Sequence, residues 1–125
     1  MKKKAMKFDF LSAAGPYSHV VEAGDFYFFS GMLPINLEKN IRETKDARKA
    51  TEICLGNIRQ ALEKLGSGMN NVVKVTVFLQ DMASFNDMNE VFKVSFPADP
   101  PARACVAVKA IPGDFPVEIE AVALK

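Results

Sequence analysis

Between Thr44 and Leu65 the apolar positions Ala47, Ala50, Cys54, Ile58, Ala61, Leu62 and Leu65 recur at spacings of three and four. That spacing gathers them into one stripe along a single long helix. Gly66 and Gly68 end the pattern, as glycine does just past a helix C-terminus. A helix with one apolar stripe has to bury it against another layer, and the flanking segments supply β-rich runs for that layer. Upstream, "SHVVEAGDFYFFSG" splits into two such runs around Ala23-Gly24-Asp25 and predicts a hairpin, while "MKFDF" alternates weakly before it. "MLPINLEKNIRET" mixes Pro34, Asn36 and Asn40 with scattered apolar residues and suits a surface loop. Downstream, "NVVKVTVFLQDM" is dense in β-branched residues, as a buried strand is.

"SFNDMNEVFKVSF" opens with Ser84 and places Asp87 three residues later, a start resembling a capping box. Phe85, Met88, Val91 and Phe92 form the apolar side of this second, shorter helix. "PADPPA" then predicts a rigid extended entry. The strands "ARACVAV" and "VEIEAVAL" follow, joined by "KAIPGDFP". The predicted order is β-β-β-α-β-α-β-β, an α+β fold with one mixed sheet and two helices on one face.

The chain has 125 residues, the size of one compact domain, and residues 1–125 are read as a single domain. Sixteen Lys and Arg against fifteen Asp and Glu leave a net charge of +1, too little to gather a polyanion or an anionic membrane surface. No nucleic-acid partner is expected. Charges interrupt every apolar run, so no membrane-spanning segment is predicted. The lysine-rich start is followed by neither an apolar run of signal-peptide length nor a small-residue cleavage site, and the expected location is cytoplasmic. Cys54 and Cys105 are the only cysteines and His19 the only histidine. Together they make neither a disulfide framework nor a two-histidine metal site, and no metal is expected. "GSGMNN" ends a helix where a phosphate cradle would begin one, so no nucleotide cofactor is expected.

The last two strands carry the chemistry. Alternation puts Arg103, Cys105 and Ala107 on one face and Ala104, Val106 and Val108 on the other, and the apolar row is expected to face the helices. Val117, Ile119, Ala121 and Ala123 likewise share a face opposite Glu118 and Glu120. An arginine on a strand is commonly a surface residue paired with a carboxylate, and Glu118 or Glu120 could take that part. Cys105 is open to two readings, a small buried hydrophobe or a thiol activated by Arg103 two residues away. Cys54, on the helical stripe, reads as core.

"GPYSHVV", "YFFSGMLP", "VVKVTVFLQDM", "FNDMNEVF", "PPARACVAV" and "IPGDFPVEIEAVAL" follow one another in order and nearly fill the chain. Together they resemble the YjgF/RidA family, the reactive-intermediate enamine/imine deaminases. The resemblance implies a chorismate-mutase-like fold, a homotrimer with a central β-barrel, and active sites between subunits. It implies that Arg103 binds a substrate carboxylate through a bidentate contact, that Cys105 lines the same pocket, and that Glu118 holds or activates water. Tyr17, Ser30, Gly31 and Asn89 match the remaining substrate-binding positions. The chain departs from the family's common pattern at His19 and Met32, where Gln is usual, and at Phe92, where Tyr is usual. These departures bear on substrate preference more than on reaction class.

The implied activity is hydrolysis of short 2-enamine or 2-imine carboxylates, such as 2-aminoacrylate and 2-aminocrotonate, to 2-keto acids and ammonium, that is, a 2-iminobutanoate/2-iminopropanoate deaminase. It needs no cofactor. The rival from another class is a binding protein whose cleft holds a keto acid and reports it to a partner without turnover. Chorismate mutase shares the implied fold, but a dicarboxylate favours several cations and the motifs place only Arg103. Translation inhibition or ribonuclease activity, described for some members, meets no basic stripe or stacking-aromatic motif here.

Overall fold

The computed structural model describes residues 2–125. Its main sheet has six strands in the order β1-β2-β3-β8-β6-β7. These are β1 (Lys3–Met6), β2 (Val20–Ala23), β3 (Phe26–Met32), β6 (Val72–Leu79), β7 (Ala102–Ala107) and β8 (Val117–Leu124). β6 and β7 run parallel and the other neighbours antiparallel. The two helices are α1 (Ala47–Lys64) and α2 (Phe85–Ser95), and both pack against the sheet's core face. The α+β reading with one mixed sheet and two helices on one face therefore holds.

The core is the union of the two periodicities. From α1 it takes Ala50, Cys54, Ile58, Ala61 and Leu62; from the sheet Val75, Val77, Leu79, Val117, Ile119, Ala121 and Ala123; from α2 Met88, Val91 and Phe92. Asp46 caps α1, its side chain accepting from the Lys49 N–H at 3.1 Å. Gly66 lies just beyond α1 with φ +79°, a conformation that glycine adopts without a Cβ penalty.

Several local expectations are corrected. The first strand is Lys3–Met6, within the lysines, and not "MKFDF", whose Phe10 is buried off the sheet. As an edge strand, β1 keeps its exposed lysines where charge discourages pairing with another chain. The segment after Met32 is not a plain loop: β4 (Ile35–Asn36) and β5 (Ile41–Arg42) form a small antiparallel hairpin, with Ile35 and Asn36 buried. Ser84 precedes α2 without a side-chain capping bond: it closes a 3-10 turn, Met82–Ser84, that Asp81 caps, and its own N–H donates to the Asp81 carbonyl at 3.0 Å, while Asp87 meets Arg48 of α1 at 3.1 Å. "PADPPA" bends at Ala98–Asp99, with Asp99 at φ +47°, and is not extended throughout.

The largest correction concerns β7. Val75 and Val77 of β6, both buried beneath the helices, pair with Arg103 and Cys105, so those two residues share the helix-facing side. Ala104 and Val106, opposite Thr76 and Phe78, lie on the uncovered side. Alternation sorts residues into two rows and does not tell which row is covered. β7 is an edge strand, so a guanidinium can point to the helix side and still keep its head at the margin of α2. For β8 the expectation holds: Val117, Ile119, Ala121 and Ala123 are buried, and Glu118 and Glu120 face the uncovered side.

Candidate active site

The candidate site residues fall into two groups on opposite faces of the sheet. On the uncovered face a pocket of about 320 Å³ is lined by Ala14, Tyr17, Ser30, Gly31, Leu33, Pro112 and Glu118. Its floor depends on an irregularity in β3. Phe29 pairs with Ala121 and Met32 with Ile119, so three steps along β3 span two along β8. The extra residue is a bulge, which turns Ser30 and Gly31 into the pocket. A Cβ at Gly31 would lie 2.5 Å from Oε2 of Glu118 and 2.8 Å from its Cδ, so a side chain here would push the carboxylate out of its present place. Ser30 Oγ donates to the Ser18 carbonyl at 2.6 Å, tying the bulge to the segment that carries Tyr17.

Burial pushes the Glu118 carboxyl above its ordinary value of 4.5, and the charge of Glu120 on the same face adds to that push. A carboxylate so raised is a stronger base than a solvated one, the property a proton-transfer group near neutral pH requires.

His19, among the departures from the family pattern, is a structural clamp. It is buried, its Nδ1 accepts from the Phe8 N–H at 2.9 Å, and its Nε2 lies 3.0 Å from the Ser12 carbonyl. A backbone N–H can only donate and a carbonyl only accept, so these partners select the neutral tautomer with the proton on Nε2. The imidazole thereby fixes both ends of the segment between β1 and β2 from which Tyr17 reaches the pocket, and the two rings meet nearly edge to face, 6.2 Å apart.

The second group lies on the helix side, at the margin of β7 and α2. Arg103 Nη1 donates to Asn89 Oδ1 at 2.7 Å and approaches Met88 Sδ at 3.5 Å. Its guanidinium carbon lies 4.8 Å from the Phe92 ring centroid and 5.6 Å from that of Phe85. Neither Glu118 nor Glu120 bridges to Arg103, so the paired-surface reading does not apply. Cys105 sits beside Arg103, half-buried. Burial raises its thiol above the ordinary 9.0 despite the opposing effect of the Arg103 charge. Arg103 therefore does not make Cys105 a thiolate at neutral pH. Cys54 is fully buried, its Sγ 3.2 Å from the Met32 carbonyl, which agrees with a core role.

Within one chain Arg103, Cys105 and Asn89 are thus brought together, as are Tyr17, Ser30, Gly31 and Glu118, and the sheet separates the two sets. Sequence reasoning missed Leu33, Ala14 and Pro112 as pocket walls and Phe85 as a neighbour of Arg103. The spacing of Phe85 and Phe92, seven residues apart on one helix face, was the signal available for the last.

A family model described as Endoribonuclease L-PSP matches residues 8–125. The chain belongs to the YjgF/RidA family. A RutC family protein of Pyrococcus horikoshii is 42% identical over 111 residues, covering 89% of this chain and 88% of that one. The chloroplastic Reactive Intermediate Deaminase A of Arabidopsis thaliana is 36% identical over 112 residues, covering 90% of this chain and 60% of the relative. The crystal structure of E. coli TdcF with bound serine superposes with a TM-score of 0.89 at 31% identity, covering 98% of each chain. Family membership supports a Rid-type deaminase or L-PSP-like function in general terms.

Proposed function

We propose that the protein hydrolyses short 2-enamine and 2-imine carboxylates to 2-keto acids and ammonium, at sites completed by a second copy of the chain. The observation that carries this reading is Arg103, a half-buried guanidinium held by α2, on a chain whose raised carboxylate, Glu118, lies across the sheet. A carboxylate substrate meets the guanidinium in a planar, charge-assisted pair. Its reacting carbon then needs a base on the other side, and in a symmetric homotrimer the Glu118 pocket of a neighbouring copy supplies it. The uncovered face that such an assembly would bury carries the exposed side chains Phe26, Phe28, Val106 and Leu124.

The chemistry balances without a cofactor. The enamine CH2=C(NH2)–COO⁻ takes a proton from solvent at its terminal carbon and becomes the iminium CH3–C(=NH2⁺)–COO⁻. Water adds to the iminium carbon as Glu118 accepts one of its protons, giving the carbinolamine CH3–C(OH)(NH2)–COO⁻. Glu118 returns that proton to the nitrogen, the C–N bond breaks, and the hydroxyl proton passes through Glu118 to the departing ammonia, leaving the keto acid and ammonium. Tyr17 and Ser30 shape the water pocket, and positioning supplies most of the acceleration. Cys105, with its thiol held protonated, lines the carboxylate side and is no nucleophile. The bound serine of TdcF, an amino acid with its own carboxylate, is consistent with this substrate class.

The test is a coupled assay in which a pyridoxal-phosphate dehydratase releases 2-aminoacrylate and pyruvate formation is followed. The protein should accelerate pyruvate release and Arg103→Ala should abolish the acceleration, with Arg103→Lys restoring little of it. An unaccelerated rate with the wild type would remove the deaminase reading. Tight pyruvate binding without turnover would replace it with the binding-protein reading.

A further inference from the structure

Arg103 has an unequal set of partners. Both of its polar contacts, Asn89 Oδ1 at 2.7 Å and Met88 Sδ at 3.5 Å, fall on Nη1. Among the described residues no acceptor meets Nε or Nη2. A guanidinium can grip a carboxylate end-on through Nη1 and Nη2 or side-on through Nε and Nη2. With Nη1 already engaged on α2, the side-on edge is the one left free. The ring contacts act on the same group: Phe92, itself only 7% exposed, and Phe85 both lie within cation–π distance of the guanidinium carbon. Phe85, Met88, Asn89 and Phe92 occupy one flank of α2 at spacings of three and four, so the first two turns of this helix set the orientation of the arginine.

We propose that Phe92 and Asn89 are positioning residues that hold Arg103 so that its Nε/Nη2 edge grips the substrate carboxylate, and that Asn89 is thereby committed to Arg103 and is not a substrate ligand. This deepens the deaminase reading and rests on it for the identity of the substrate. A phenylalanine at position 92 performs this task through its ring face alone, so the departure from tyrosine at that position leaves the clamp intact.

The test uses the intact assembled protein and two probes, pyruvate and its neutral amide, pyruvamide, titrated by NMR or calorimetry. Phe92→Leu removes the ring and should weaken pyruvate binding about 5- to 30-fold, the range of a desolvated cation–π contact. Pyruvamide binding should stay unchanged, because only the charged carboxylate uses the fork. Phe92→Tyr, which keeps the ring, should restore pyruvate affinity. Asn89→Ala lies at the helix margin and guards against a folding failure at Phe92; it too should lower affinity for pyruvate and not for pyruvamide. Equal losses for both probes, unchanged pyruvate affinity in folded variants, or no pyruvate binding by the wild type would each overturn the proposal. A wild type that binds pyruvate but fails to hydrolyse 2-aminoacrylate would overturn the deaminase reading alone and leave the positioning of Arg103 standing.

Discussion

Glu118 couples the stability of the chain to the chemistry proposed for it. Its carboxyl is raised by burial, so between its ordinary value and its raised one the folded chain binds more protons than the unfolded chain. Its ionisation therefore costs stability as pH rises through that window, and the cost persists at neutral pH. Glu118→Gln should melt above the wild type at pH 7, and the gain should vanish as the pH falls below 4.5, where the wild-type side chain is protonated in both states. The same substitution should lower enamine hydrolysis about 10²–10⁴-fold, the usual worth of a general base. Calorimetric melting across pH, run beside the coupled assay, checks both signs. A Glu118→Gln protein less stable than the wild type at pH 7 would contradict the desolvation of this carboxyl. Cys105→Ser should cost little in the same assay, since a protonated thiol is not the attacking group; a loss larger than that of Glu118→Gln would reverse their roles.

The elements differ in how far local pattern anticipates them. The stripe of α1 reads directly from Ala50, Cys54, Ile58, Ala61 and Leu62, because a 3.6-residue period is a local property of the chain. The hairpin of β4 and β5 does not, because partners more than 20 residues away hold it. Asn57 of α1, only 1% exposed, donates to the carbonyls of Leu33 and Ile35 and accepts from Asn36 Nδ2 at 2.9 Å. A polar residue beside the stripe gives no sign that it satisfies a distant loop. Asn57→Ala would take the side-chain donor from the buried Ile35 carbonyl and an acceptor from Asn36 Nδ2, while the Leu33 carbonyl keeps the Ile35 N–H at 2.8 Å, and should destabilise by about 2–3 kcal/mol. Asp46→Ala, which removes only the exposed cap of α1, should cost about 1 kcal/mol. Urea unfolding of the two variants tests the ranking, and equal losses would show that the hairpin is not anchored through Asn57.

For the whole molecule, the decisive fact is that Arg103 and Glu118 cannot serve one substrate from within one chain, because the sheet lies between them. If the site forms between copies, the inactive variants Arg103→Ala and Glu118→Gln should complement each other. Co-refolded in equal amounts they should form mixed trimers with roughly a quarter of the sites intact, since each site draws one half from each of two neighbours. Light scattering should report a trimer for the wild type and for both variants. A monomer at micromolar concentration, or mixtures as inactive as their parents, would remove the shared site.

Composition and periodicity by themselves determined the two helices, most of the strands and the rows of residues that share a face, because propensity and alternation are properties of neighbours along the chain. The motifs around Arg103, Glu118, Gly31 and Tyr17 carried the family. Only the tertiary structure decided which row the helices cover. The register of β6 against β7 is what turns Arg103 and Cys105 toward α2, and a strand's own alternation is symmetric to that choice. The bulge at Ser30 and Gly31, the clamp at His19 and the engagement of Arg103 by Asn89 likewise depend on pairs distant in sequence, whose contacts exist only once the sheet has closed on its helices.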